Sequence, residues 1–268
     1  MNAIGSVAGE VFRESVRDRV FYNLVLFAVL LVTASILIGQ LTAGQDVKII
    51  KDLGLAATSL FGLFIAIFVG INLVSKEVDR RSVYPLFAKP VRRAEFILGK
   101  YVGLLLTLLA NMAVMTVAIY AVLYFLSRDV PPAIQAAWDA PAMDPALLKA
   151  ILLIYCNLAV VTAVALFFST YSSPLLSTVF TIGVYVAGQF NADLKRFDLI
   201  VESPAAALVA KACYYVLPDF AKFDVKLAVV HGIHVSAAHL ASTVAYAALY
   251  VAALLFGAIM IFSRRDFK

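Results

Sequence analysis

Six stretches of this 268-residue chain hold, or nearly hold, the roughly 20 apolar residues that a helix needs to cross a bilayer core. They fall at about 21–41, 53–75, 98–126, 147–170, 174–190 and 236–262. In hydrocarbon a backbone must satisfy its own hydrogen bonds, so stretches of this length read as helices. Only short connections and one longer excursion, 191–235, remain between them. Composition agrees: 63% of residues are apolar and 15% charged, against about 45–50% and about 25% in soluble domains. The expectation is an all-α polytopic membrane protein, one domain over 1–268, with six transmembrane helices. The fifth stretch is the weakest, being 17 residues long with Gly183 and Gly188 inside it.

The positions of Lys and Arg orient the spans. With both termini cytoplasmic, the inner segments 1–20, 76–100, 171–173 and 263–268 carry 13 cations and seven acids. The outer side keeps nine cations and ten acids. An even number of spans fits that bias. Cys156 and Cys213 fall in different environments on this topology, so no structural disulfide is expected. A polar start followed by a long apolar run argues against a cleavable signal peptide.

Two shorter segments have their own pattern. Ile4, Val7, Ala8, Val11, Phe12, Val16 and Val20 recur at helical spacing, with Glu10, Arg13, Glu14, Arg17 and Asp18 on the other face. This predicts an N-terminal interfacial helix over 1–20, its apolar stripe in the acyl boundary of the inner leaflet. In the outer excursion, Pro204 to Leu217 supplies 14 mostly apolar residues interrupted by Lys211. That is too short to span and suits a re-entrant or interfacial segment between helices 5 and 6. A seventh span there would place Arg264 and Arg265 outside, against the charge bias.

Chemistry is sparse. Gly99-Lys100 lacks the upstream glycine and the following Ser or Thr of a phosphate-cradling loop, so any ATP hydrolysis belongs to another chain. His231 and His234 would share a helical face at i, i+3, with His239 nearby, yet no Cys pair or acidic ligand completes a metal set. Polar contacts at the membrane interface are the plainer reading. No span carries a charge at mid-depth, which disfavours an ion-coupled carrier. Asn72, Asn111, Asn157 and Gln189 are the polar exceptions, suited to joining helices or lining a pathway. No nucleophile is paired with a base.

The inner loop 76–100 differs from a plain topogenic loop. It has seven cations and three acids, but also apolar Val83, Leu86 and Phe87 held between Pro85 and Pro90. Charge alone sets topology and has no use for those apolar residues. They suit a short helix that docks into a groove of another protein.

At this loop Glu77, Leu86, Pro90, Val91, Arg93, Glu95, Phe96, Gly99 and Lys100 resemble, in order and spacing, the permease subunits of ABC-2 type ABC transporters. Arg80, Arg81 and Tyr84 resemble the branch labelled multicopper-enzyme maturation permeases, as do 52–74 and Leu217-Pro218-Asp219-Phe220. Arg92 stands where Ser is common, and Pro85 where Leu is common. The resemblance implies a permease, an exporter by expectation, in a bacterial inner membrane. It implies two copies of a separate ATPase subunit, which hold ATP and Mg, and a second permease chain in a homodimer or heterodimer. Membrane lipid is a partner, nucleic acid is not, and there is room for a periplasmic accessory protein. No cofactor, metal or catalytic residue is expected in this chain. The expected ATPase-coupling residues are Glu77, Arg80, Arg81, Val83, Leu86, Phe87, Pro90, Arg92, Arg93, Glu95 and Lys100. The alternative is a non-transporting membrane scaffold or maturation factor for a periplasmic metalloenzyme.

Overall fold

The computed structural model describes residues 3–17, short runs between 22 and 37, 46–71, 92–136, 138–191 and 204–264. Among these residues every regular element is helical: α1 (Ala3–Arg17), α2 (Asp46–Phe64), α3 (Arg93–Asp129), α4 (Pro132–Gln135), α5 (Ala146–Ser169), α6 (Pro174–Gln189), α7 (Pro204–Val216), α8 (Lys226–Val230) and α9 (Ala237–Arg264). A π-turn, Ile65–Val69, prolongs α2, and a 3-10 turn, Phe220–Phe223, precedes α8.

Four helices among the described residues are long and apolar enough to cross a membrane: Asp46–Val69, Arg93–Arg128, Ala146–Ser169 and Ala237–Ser263. They correspond to the expected spans two, three, four and six. At the expected fifth span the structure has α6, an apolar helix of 16 residues that is shorter than the four long ones. Most of the expected first span, 21–41, lies outside the described residues; those of its positions that are described are helical, and Val32 is buried.

Local chemistry sets the helix ends. Arg92 is extended, and the Glu95 carboxylate accepts a hydrogen bond from its N–H at 2.9 Å, which closes the first turn of α3. Pro131 and Pro132 stop α3, since a helix cannot run through a residue without an N–H. Asp144 Oδ1 accepts from the N–H of Ala146 at the start of α5. Extended Ser173 and Pro174 open α6, and the Ser236 hydroxyl accepts from His239 N–H to open α9. Helix α2 starts earlier than hydropathy predicts because its two lysines find partners. Lys48 Nζ lies 2.6 Å from an Asp139 carboxylate oxygen, and Lys51, fully buried, donates to the Pro141 carbonyl at 2.7 Å.

Side-chain contacts give the helix directions. Gly54 meets Ile119 and Gly70 meets Leu104, so α2 and α3 are antiparallel. Tyr101 Oη donates to Ala159 O and Tyr155 Oη to Leu105 O, so α3 and α5 are antiparallel too. Lys149 reaches Val235 O while Gly257 meets Phe167, so α5 and α9 run the same way. Helix α5 is the centre of the bundle, with 72% of its apolar window buried against 17% for the peripheral α9. These directions gather α1, the start of α3 and the end of α9 at one end of the bundle. The start of α2, the α3–α5 connection and the start of α9 lie at the other.

Candidate coupling site

At the first end, α1 lies against α3 in unusually close contact. A methyl added at Gly99 would sit 2.7 Å from Val7 Cβ, and one at Gly103 would sit 2.7 Å from Val11 Cβ and 2.8 Å from Ala8 O. The two contacts advance by four residues on both helices, so α1 and α3 are parallel. Only glycine lets backbones approach this far, as in small-residue helix pairs within membranes. The stripe expected to face lipid is therefore spent on protein: Val7, Ala8, Val11 and Ser15 are buried. A helical apolar stripe satisfies a bilayer and a neighbouring helix equally, and here a glycine pair supplies the neighbour.

Of the expected coupling residues, Glu77, Arg80, Arg81, Val83, Leu86, Phe87 and Pro90 lie outside the described residues. The other four fall in the first two turns of α3 or at its cap, and they divide by environment. Arg92 is exposed. Glu95 caps the helix as above. Arg93 turns toward α9, and its Nη1 donates to the carbonyls of Ser263 at 2.7 Å and Phe262 at 3.4 Å. A cation on the last carbonyls of a helix satisfies groups left without an intrahelical donor and complements the negative end of the dipole. One turn on, Phe96 stacks on Phe262, ring centroids 5.9 Å apart. Lys100, almost fully buried between the two glycines, places its ammonium 4.8 Å from the Phe96 ring centroid. The start of α3 is thus bolted to α1 on one side and to the end of α9 on the other.

The opposite end carries its own ionic latch. Asp139 meets Lys48 at 2.6 Å and His231 Nδ1 at 3.5 Å, joining α2, the α3–α5 connection and the turn after α8. The Lys48 hydrogen bond holds the Asp139 carboxyl below its ordinary value. Gly232 adopts φ +69°, and a methyl there would lie 2.7 Å from Asp139 O. This turn corrects the helical i, i+3 geometry expected for His231 and His234: the chain turns at 231–232, and 233–236 are not helical. No group of three or more His, Cys, Asp or Glu residues suited to a metal occurs among the described residues.

Past α6, the end of α7 and the turn that follows it pack on α9. Tyr250 Oη donates to the carbonyl of Val216 at the end of α7, and Tyr246 Oη accepts from Asp219 N–H at 2.8 Å. Phe220 and Phe223 are buried between Tyr185 and Tyr246, with centroids 5.2 Å and 6.2 Å from those rings. Sequence reasoning foresaw a helix here but not the two tyrosines that hold its end. The i, i+4 repeat of Tyr246 and Tyr250 was the available signal, as Gly99-x-x-x-Gly103 was for α1.

Four long apolar helices among the described residues define an integral membrane protein. The chain belongs to the ABC-2 family of transporter proteins, whose family model matches residues 6–195. No curated protein matches the chain.

Proposed function

We propose that this chain is the permease subunit of an ATP-binding cassette exporter in a bacterial inner membrane, driven by a separate ATPase subunit in two copies and paired with a second permease chain. The observation that carries the reading is the family match together with the geometry at the start of α3, where the loop 76–100 enters a clamp of three helices. By sequence the segments 1–20, 76–100 and 263–268 carry 13 cations against nine elsewhere, and on that count the pole where α3 starts and α9 ends is read as cytoplasmic, with both termini. ATP and Mg sit on the partner. Its closing and opening moves the loop, and α3 carries the movement into the bundle. Exposed Arg92, with Arg80 and Arg81, meets acids at the rim of the docking groove, and Val83, Leu86 and Phe87 fill it.

Buried apolar anchors carry most of an interface's free energy, whereas rim charges govern encounter and register. Leu86→Ala and Phe87→Ala should therefore each weaken ATPase association by about tenfold or more. Arg92→Ala should act more mildly and mainly at low salt. Co-purification from native membranes and nucleotide hydrolysis in vesicles measure both. Unchanged association and hydrolysis in both apolar variants would reduce the loop to a topology signal.

A further inference from the structure

The clamp at the start of α3 has a far end. Arg93 and Phe96 hold the last turn of α9 through the Phe262 and Ser263 carbonyls and the Phe262 ring. Thirteen residues back along the same helix, about 20 Å at helical rise, Tyr250 holds the Val216 carbonyl. One turn further, Tyr246 holds Asp219 N–H, and Lys222 lies 4.8 Å from the Tyr246 ring centroid while pairing with Asp219 at 3.4 Å. Helix α9 is thus fastened at one pole to the helix that follows the loop, and deep in the bundle to the turn that ends α7. Between those fastenings it is an uninterrupted helix that touches α5 at Gly257–Phe167 and keeps most of its surface outside the core. A peripheral helix fastened at both of these places carries a displacement along its axis more readily than the buried α5 does.

Resting on the reading above, we propose that α9 is a push-rod: Arg93 delivers the movement of the loop to it, and Tyr246 and Tyr250 pass that movement to the turn 216–219. Arg93 is then a positioning residue for transport, not a rim contact for the ATPase. Its guanidinium suits the task because it spans two carbonyls at once and remains charged at any working pH. The Phe96–Phe262 stack keeps the two helices in register beside it.

The test uses the full chain purified with its ATPase in vesicles, with Cys156 and Cys213 replaced by Ala and Leu217→Cys as reporter. The reading is the labelling rate by a membrane-impermeant maleimide, with and without ATP and vanadate. In the parent the nucleotide should change that rate. Arg93→Gln and Tyr250→Phe should each cut the change by about tenfold, the equilibrium weight of one strong hydrogen bond, and Arg93→Lys should restore part of it. Because the two contacts act in series, the double variant should be no worse than the poorer single one. A full nucleotide response in Arg93→Gln, or losses that multiply in the double variant, would overturn the push-rod. So would a parent that co-purifies with its ATPase yet shows no response. If no ATPase co-purifies with the parent, the permease reading falls first and the push-rod with it.

Discussion

Lys51, Lys100 and Asn111 are three polar side chains buried within helices that hydropathy alone reads as apolar. Two of them are answered. Lys51 has a carbonyl at 2.7 Å, and Lys100 rests on an aromatic ring. Asn111 is not: neither its amide nitrogen nor its amide oxygen has a hydrogen-bond partner among the described residues. The amide was expected to join helices or to line a pathway, and among the described residues it makes no hydrogen bond to a neighbouring helix. It lies between the Gly54–Ile119 and Gly70–Leu104 contacts of α2 and α3, near the level of Gly62 and within about a turn of the π-turn Ile65–Val69. A buried, unsatisfied amide costs about 1–3 kcal/mol, and a leucine of similar volume removes that cost. Asn111→Leu should therefore stabilise the detergent-solubilised protein by about 1 kcal/mol. Thermal unfolding is the measurement, and a lower midpoint would mean that the amide has a partner in the working protein. A π-turn beside an unsatisfied amide is a place where a span trades stability for movement, so the same variant should transport less while unfolding later.

Among elements, the two poles of the bundle are held by different forces. The loop-side pole relies on close backbone approach at Gly99 and Gly103 and on one arginine across two carbonyls. The opposite pole relies on charge, with Asp139 between Lys48 and His231. That latch has a sign. Because Lys48 depresses the Asp139 carboxyl below its ordinary 3.8, the folded state binds that proton less readily than the unfolded chain does. Its contribution is complete above the ordinary value and is lost as pH falls through the depressed one. Stability followed from pH 6 down to pH 2 should show an acid-side loss that Asp139→Asn removes, the variant being weaker at neutral pH and flatter below about pH 4. Equal acid sensitivity in both proteins would show that the latch adds nothing. Asp139 is exposed, so the effect should also shrink at high salt.

At the scale of the whole molecule, length and apolarity made most of the long helices legible. The expected starts at 98, 147, 174 and 236 stand against helices that begin at Arg93, Ala146, Pro174 and Ala237. The early start of α2 was not legible, because the carboxylate that pairs with Lys48 and the carbonyl that accepts from Lys51 come from about 90 residues further along the chain. The docking of α1 was half legible: its stripe was plain, but only the glycine spacing on α3 says that a helix covers it. For the candidate site, sequence named Arg92, Arg93, Glu95 and Lys100 together, yet could not say that Arg93 faces α9 and Lys100 the interior, since rotation about a helix is set by distant contacts. The bundle's two poles now give the topology a geometric basis beyond charge counting. Parallel α1 and α3, antiparallel α3 and α5, and parallel α5 and α9 put residues 3–7, 92–99 and 262–264 at one pole, and 136–141 at the other. If the cation-rich pole is cytoplasmic, single cysteines at Ser82 and Lys268 should be labelled only from inside, and one at Ala136 only from outside. The helix α7, of 13 residues, reaches about 20 Å against a core of about 30 Å, so cysteines at Ala205 and Leu217 should report the same, outer, side. Labelling of position 268 from outside would reverse the poles or remove a span. Opposite sides for 205 and 217 would turn α7 into a crossing, which the Tyr250–Val216 and Tyr246–Asp219 contacts, deep along α9 rather than at its far end, argue against.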